Sequence, residues 1–406
     1  MKPIHIAASP NTQGDDLKIA WSKLVNPWNL AKGKEAKELE ELIGKDLKGY
    51  AFTFDSARSA FYVYLKSLDL LPKSEVILPA FSCMVVANAV LWAGLKPVFV
   101  DCNENDFNYD LADLKKKLTS RTRVILIQHT FGFPEDIAEV RTMAGKSVII
   151  VEDLAHSLGG NSALGKLGTL ADAAILTFGI EKVISGVRGG MVIVRDNKIA
   201  EELALTQEES PAFPFSKTIV ALLNPILWYL FTPSYYFGIG KFTLGRMLVA
   251  LAHKLGLFGN MIEPCEYRAC KPDWLPSRMS PALAALALNQ YRKLDRMNAH
   301  RVEIAKLYLQ ELNKNYPAND VYLRFPLLLK NRKQAVLKTK EHGIVLGDWY
   351  KSILYAPDSS LQTLQYVKGS CPNAERLADQ IVNLPTHINV STQDARRVVK
   401  VINQYL

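Results

Sequence analysis

The sequence predicts an α/β protein: a mostly parallel sheet with helices on both faces, followed by a smaller α+β unit. Three observations predict it. Through about the first two hundred of its 406 residues, short apolar runs alternate with segments of helical periodicity, the pattern left by parallel strands and their crossover helices. Several of those runs are apolar at nearly every position, as strands buried on both faces must be. From Pro281 onward the spacing turns mainly helical and amphipathic, with few strand signals.

The elements follow in order. Tyr50 to Asp55 is a short apolar-aromatic strand, and Ala57 to Leu68 carries Ala60, Tyr64 and Leu68 at helical spacing. Glu75 to Pro79 reads as a strand, Met84 to Trp92 as an apolar helix, and Lys96 to Asp101 as a strand ending in an acid. Leu111 to Leu118 has helical periodicity and Arg123 to Gln128 is a buried strand. Pro134 to Met143 reads as a helix with proline at its start, where the missing N–H costs nothing. Ser147 to Glu152 delivers Asp153, and Ala173 to Phe178 leads into Lys182. Gly189-Gly190 then opens a strand from Met191 to Arg195. Beyond it, a helix begins at Pro281 and runs to about Leu312, Val321 to Leu328 is a strand and Lys333 to His342 a helix. Ile344-Val-Leu346 is a short strand, and Ala374 to Val382 and Thr392 to Tyr405 are helices. The reading divides the chain into residues 1–207, a connecting segment 208–277, and 278–406.

Composition narrows the function. Lys and Arg exceed Asp and Glu by nine, and 49% of residues are hydrophobic. The positive excess favours anionic ligands or surfaces, yet no basic run interleaved with aromatics points to nucleic acid. Five scattered cysteines suit a reducing compartment. Cys265 and Cys270 lack the spacing and the second pair of a zinc site, so no metal is expected. The opening Met1-Lys-Pro-Ile-His-Ile6 has no signal-peptide core, which points to the cytoplasm.

Ligands of open α/β sheets sit beyond the carboxyl ends of the strands, and Ser56, Asp153 and His156 fall at such ends. In Thr177-Phe-Gly-Ile-Glu-Lys182 a hydroxyl precedes a lysine by five residues, and Asp153 lies upstream at a strand end. That combination suggests a site for pyridoxal phosphate (PLP): the lysine holds it covalently, the acid keeps the pyridine nitrogen protonated, and the hydroxyl holds phosphate. Taken singly, the lysine reads as a loop lysine and the acid as a helix cap.

Eight further stretches occur in a telling order: Asp55-Ser-Ala-Arg-Ser-Ala60; Ile77-Leu-Pro-Ala80 through Val98-Phe-Val-Asp101; His129-Thr-Phe-Gly-Phe-Pro134; Glu152-Asp-Leu-Ala-His156; Gly165-Lys-Leu-Gly168; the lysine segment with its Gly-Gly; Arg278-Met-Ser280; and Leu384-Pro-Thr-His387. On these the chain resembles the DegT/DnrJ/EryC1/StrS sugar aminotransferases, PLP enzymes of the aspartate-aminotransferase fold (fold type I). The resemblance implies that Lys182 binds PLP and shuttles the proton of transamination. It implies that Asp153 pairs with the pyridinium nitrogen and that His156 lies beside the ring near its phenolate oxygen. The backbone amides of Ala57 and Arg58 and the Thr177 hydroxyl would hold phosphate at a helix N-terminus. Three positions depart from the family pattern. Ala57-Arg58 replaces the usual Gly-Thr, Cys83 stands where relatives stack an aromatic on the ring, and Pro276 stands where relatives carry an Asn that reaches the neighbouring subunit's phosphate. His387 reads as structural.

By the same resemblance the expected activity is transfer of an amino group, from glutamate, to a nucleotide-linked keto sugar by a homodimer. Some relatives carry histidine in place of the lysine and dehydrate instead, a branch that Lys182 argues against. Other PLP chemistry on this fold and a non-catalytic membrane-associated scaffold are the alternatives. The most distinctive segment is 218–240, uncharged and rich in Leu, Ile, Trp, Tyr and Phe. A single membrane crossing there would separate the lysine from the C-terminal part of one fold, and Pro225 and Pro233 are expected to break a straight helix. Three readings remain: a dimerisation element, an interfacial patch at the inner face of the membrane with Trp228, Tyr229, Lys241, Arg246 and Lys254 as anchors, or plain core.

Overall fold

Seven strands form one sheet: β1 (Tyr50–Phe54), β2 (Glu75–Pro79), β3 (Lys96–Val100), β4 (Thr122–Ile127), β5 (Ile149–Asp153), β6 (Ala173–Thr177) and β7 (Gly190–Val194). In this computed structural model, which describes residues 3–7, 9–26, 28, 30–236 and 244–406, their spatial order is β1-β7-β6-β5-β4-β2-β3. All neighbours are parallel except β7, which runs antiparallel to both β1 and β6. Side chains of a strand point alternately to opposite faces. Accordingly Ala173, Ile175, Val192 and Val194 enter one core, and Ala174, Leu176, Met191 and Ile193 enter another on the opposite face. Burial on both sides is why these strands read as continuous apolar runs.

The order brings four strand termini together. Asp153 ends β5 and Thr177 ends β6, and these strands are adjacent and parallel. Gly190, the first residue of β7, pairs with Thr177 on one side and with Phe54, the last of β1, on the other. The turn after β1 therefore lies at the same edge, with Ser56 bridged to Gly189. It starts a helix, Ala57–Ser67, whose N-cap Ser56 accepts the Ser59 N–H. Asp55 fixes the turn by accepting the Ser56 and Ser59 hydroxyls and the backbone N–H of Ser277 (2.7 Å).

The C-terminal elements pack beside this sheet. β8 (Arg324–Leu328) and β9 (Ile381–Pro385) pair antiparallel, and Ile344–Val345 pairs parallel with Ile4–His5 near the N-terminus.

Several elements differ from the sequence expectation. The helix expected from Pro134 starts at Ile137, because the Asp136 side chain caps it by accepting the Glu139 N–H. The helix expected from Pro281 to Leu312 is two, Pro281–Tyr291 and Leu294–Glu311. The helix ending near Val382 stops at Gln380 and gives way to β9. Helices Gly14–Val25, Glu35–Asp46 and Asn197–Glu209 were not anticipated. The prolines of the apolar segment do not break it: one helix, Phe215–Tyr236, runs through Pro225 and Pro233. Its buried side, with Ala221, Leu222 and Ile226 in the core shared with helix Pro281–Tyr291, outweighs the loss of single backbone hydrogen bonds. Residues 237–240 of that segment and the expected anchor Lys241 lie outside the described residues, as does the side chain of Arg246. Among the described residues no helix is long and apolar enough to cross a membrane.

Gly190 is the tightest point of the shared edge. A Cβ there would lie 2.0 Å from the Ala57 nitrogen. Gly190→Ala is expected to cost about 1–3 kcal/mol through forced backbone movement, read as a lower urea midpoint. An unchanged midpoint would show that the turn can retreat.

Candidate active site

At this edge lies a cavity of about 370 Å³, within the range of small-molecule sites. Asp153, Ala155, Thr177 and Lys182 line it from β5, β6 and the loops that follow them, and Ala57, Arg58 and Cys83 line it from two helix starts. Of the residues expected from sequence, Lys182, Asp153, Thr177, Ala57, Arg58 and Cys83 share this one space. His156 is fully buried behind it. Phe81, the aromatic nearest Cys83 in sequence, belongs to an aromatic core with Phe107, Phe131 and Tyr350. His387 is elsewhere, bonded to the His5 carbonyl.

The lysine segment is held by polar contacts from distant parts of the chain. Asn11 Nδ2 donates to the carbonyls of Lys182 (2.7 Å) and Val183 (3.2 Å), and the buried Arg301 donates to the Val183 carbonyl (2.7 Å). Lys182 itself is half-buried, and its Nζ sits 4.1 Å from the centre of the Trp349 ring, a favourable place for a cation. Withdrawal from bulk water lowers its pKa to about 8, against the opposing pull of Asp153 and Cys83 and with help from Arg324. Burial also pushes the Asp153 carboxyl up, while the Ala155 N–H and the Lys182 charge pull it back. The two groups thus stabilise each other's ionised form in a space that otherwise disfavours both.

β5 positions Asp153 through its neighbour Glu152, which is wholly buried and accepts the N–H groups of Gly168, Leu170 and Ala171. Asp153 Oδ1 accepts the Ala155 N–H at 2.9 Å. At the other end of the cavity, Ala57 and Arg58 occupy the first two positions of their helix, where amides lack intrahelical partners. Thr177 stands beside them at the end of β6, its Oγ1 accepting the Gly179 N–H.

His156 Nδ1 accepts the Phe131 N–H (3.0 Å), and burial holds the ring's pKa well below its usual value. The imidazole is therefore neutral with its proton on Nε2, which donates to the Tyr350 hydroxyl (2.9 Å). Tyr350 lines the cavity, and burial keeps its hydroxyl protonated.

Sequence reasoning missed several cavity residues, four of which matter most for the chemistry. Trp349 and Tyr350 come from the loop after Ile344–Val345, Arg188 precedes β7, and Met261 follows the apolar segment. Trp349 supplies an aromatic wall on a site where Cys83 cannot. It stacks on the His156 ring at 5.3 Å and carries the Arg324 guanidinium on its face at 3.5 Å. Arg324 in turn pairs with Glu181, the residue before the lysine. The aromatic pair in Gly347-Asp-Trp-Tyr350 was the available signal, and Arg188 interrupting an apolar stretch before two glycines was another.

The pH behaviour of the amine checks this geometry. Reaction of Lys182 with a small aldehyde should rise about tenfold per pH unit and level off near the amine's pKa of about 8. Asp153→Asn, which removes an opposing negative charge, should move that midpoint lower. A midpoint at the ordinary lysine value of 10.5 would contradict the burial.

The profile of the DegT/DnrJ/EryC1/StrS aminotransferase family matches residues 14–213 and 275–403. The chain is 24% identical to "Uncharacterized protein MJ1066" of Methanocaldococcus jannaschii, over 96% of this chain and 92% of that protein. It is 23% identical to the UDP-N-acetyl-3-dehydro-alpha-D-glucosamine 3-aminotransferase of Acidithiobacillus ferrooxidans, over 97% and 94%. Its fold matches that of the GDP-4-keto-6-deoxy-D-mannose-3-dehydratase of E. coli with bound hydrated PLP, at a TM-score of 0.75 and 19% identity, covering 99% of both chains. The residues here fit such a cofactor: an amine, a carboxylate, the first residues of a helix and a threonine line one cavity. With most of its length matched, the chain belongs to the DegT/DnrJ/EryC1/StrS aminotransferase family and is a PLP-dependent enzyme of that family.

Proposed function

We propose that this enzyme transfers an amino group, from glutamate, to the keto carbon of a nucleotide-linked sugar. The observation that carries the reading is the meeting of Lys182 and Asp153 in one cavity at the ends of adjacent strands. The sugar class is supported by the aminotransferase relative, whose name gives a UDP-linked substrate, and by the excess of nine positive charges, which suits a diphosphate.

When bound, PLP supplies an electron sink for the carbon that bears the amine. Lys182 Nζ would hold the cofactor, and as a free amine with a pKa of about 8 it would serve as the base that moves the proton of the substrate carbon near neutral pH. Asp153 keeps a proton on the ring nitrogen by charge pairing. The Tyr350 hydroxyl, whose oxygen accepts the His156 Nε2–H, would donate toward the ring's phenolate oxygen, so that His156 would act there through Tyr350. Ala57, Arg58 and Thr177 would hold the phosphate, Cys83 would lie beside the ring, and Trp349 would shield the amine from water. In this reading residues 1–207 bind the cofactor, 208–277 connect, and 278–406 form the smaller C-terminal domain. The family profile's skip over 214–274 supports that division.

We also read the protein as a homodimer that rests on the inner face of the membrane. Helices Phe215–Tyr236 and Leu244–Lys254 pack together, and Trp228 lies against Phe258, in the stretch after the second helix, at 4.7 Å. They leave Tyr229, Leu230, Met247, Leu251 and Leu255 exposed. Between Glu209 and Glu263 the sequence has no acid, only Lys217, Lys241, Arg246 and Lys254. An apolar face with purely basic charge suits an anionic lipid surface.

Two experiments test this. In single-turnover assays, glutamate should give one equivalent of 2-oxoglutarate, and one member of a keto-sugar panel should return the cofactor to its starting spectrum. Lys182→Ala should lower that rate at least a thousandfold. No 2-oxoglutarate from glutamate would remove the aminotransfer reading and leave dehydration or a scaffold. Cosedimentation with phosphatidylglycerol vesicles, but not with phosphatidylcholine ones, should be lost in Leu230→Glu/Leu251→Glu while the sedimentation coefficient stays unchanged. A dimer that falls apart instead would assign the face to the subunit interface.

A further inference from the structure

Two arginines line the same end of the cavity as the Ala57–Ser67 helix start, and both are 7% exposed. Arg58 pairs through Nε with the buried Glu266 (3.0 Å) and donates from Nη2 to the Met261 carbonyl (2.7 Å). Arg188 donates from Nη1 to the Asn260 carbonyl (2.6 Å) and lies over the Trp274 ring at 5.1 Å. Each guanidinium has five N–H groups, so both keep donors after these contacts. Among the described residues, Arg58 Nη1 and Arg188 Nη2 have no hydrogen-bonded protein partner.

The arrangement is costly without an anion. Two like charges are buried at one wall, and each disfavours the other, as the Arg188 pKa lowered to about 10 by burial and by Arg58 records. Burial pushes the carboxyls of Glu266 and Asp55 up. A phosphate dianion at the adjacent helix start would offset this through charge-assisted, bidentate hydrogen bonds.

All the parts come from one chain. The 260–266 stretch, held by the two arginines, brings Met261 and Ile262 into the cavity wall. Ser277, next to Pro276, donates its N–H to Asp55 in the turn before the Ala57–Ser67 helix of the same chain. We propose that Arg58 and Arg188 form an anion clamp for the cofactor's phosphate within a single subunit, with the 260–266 stretch as its outer wall. This rests on the reading of the cavity as a PLP site.

The test compares PLP with pyridoxal, which lacks the phosphate, as ligands of the apoprotein, followed by absorbance. Arg58→Gln/Arg188→Gln should weaken PLP at least tenfold and leave pyridoxal unchanged; the lysine versions of both substitutions should recover part of the loss. Equal weakening of both ligands, or no change in PLP, would overturn the clamp. A second arm mixes Lys182→Ala chains with Arg58→Gln/Arg188→Gln chains under conditions that exchange subunits. A clamp within one subunit predicts no tight covalent PLP site in the mixture, whereas a clamp across subunits predicts that tight sites reappear and would overturn the assignment. Failure of the wild-type protein to take up PLP at all is a separate outcome: it would sink the PLP reading itself and the clamp with it.

Discussion

The electrostatic partnership of Lys182 and Asp153 in a space withdrawn from water is the constraint on which the rest of the structure depends. Burial drives both groups toward neutrality, the amine down and the carboxyl up, and each is held near its ionised form by the other. Such a pair is unfavourable as a purely structural device. In the reading proposed above it becomes useful: a conjugated ring between the two would meet the amine at one end and the carboxylate at its ring nitrogen. Much of the surrounding architecture places these two groups. The parallel pairing of β5 with β6 aligns their ends, Glu152 ties the β5 terminus to the 168–171 turn, and Asn11 and Arg301 hold the lysine segment from opposite ends of the sequence.

The sheet and the chemistry at its edge were legible from residue order because both are local. β5, β6 and β7 are apolar at successive positions, Asp153 and Thr177 sit at strand ends, and the Ser56 turn precedes a periodic helix. What was not legible depends on contacts across the fold. Trp349 and Tyr350 reach the cavity from a loop far along the chain, and no periodicity marks them. The partners of His156, the Phe131 amide at Nδ1 and the Tyr350 hydroxyl at Nε2, are likewise set by backbone conformation and a distant loop. Helix Gly14–Val25 was passed over although Asp15 and Asp16 open it and Lys23 closes it, the charge order that complements a helix dipole. The prolines at 225 and 233 misled for the opposite reason, since a local rule was overridden by tertiary packing of the apolar face.

The segment between the two matched parts of the family profile ties architecture to the site. Helix Phe215–Tyr236 packs on the core beneath it, and Lys217 is paired with Glu263. The stretch that follows the two apolar helices returns directly to the cavity, where the Asn260 and Met261 carbonyls meet Arg188 and Arg58. The segment that the family profile does not match therefore also supplies part of the cavity wall.

The most direct measurement is to reduce the PLP-loaded protein with borohydride and map the modified peptide by mass spectrometry. The account predicts a single pyridoxyl group, on Lys182, and none when Lys182 is replaced by alanine. A pyridoxyl group on another lysine, or an unmodified protein, would contradict it.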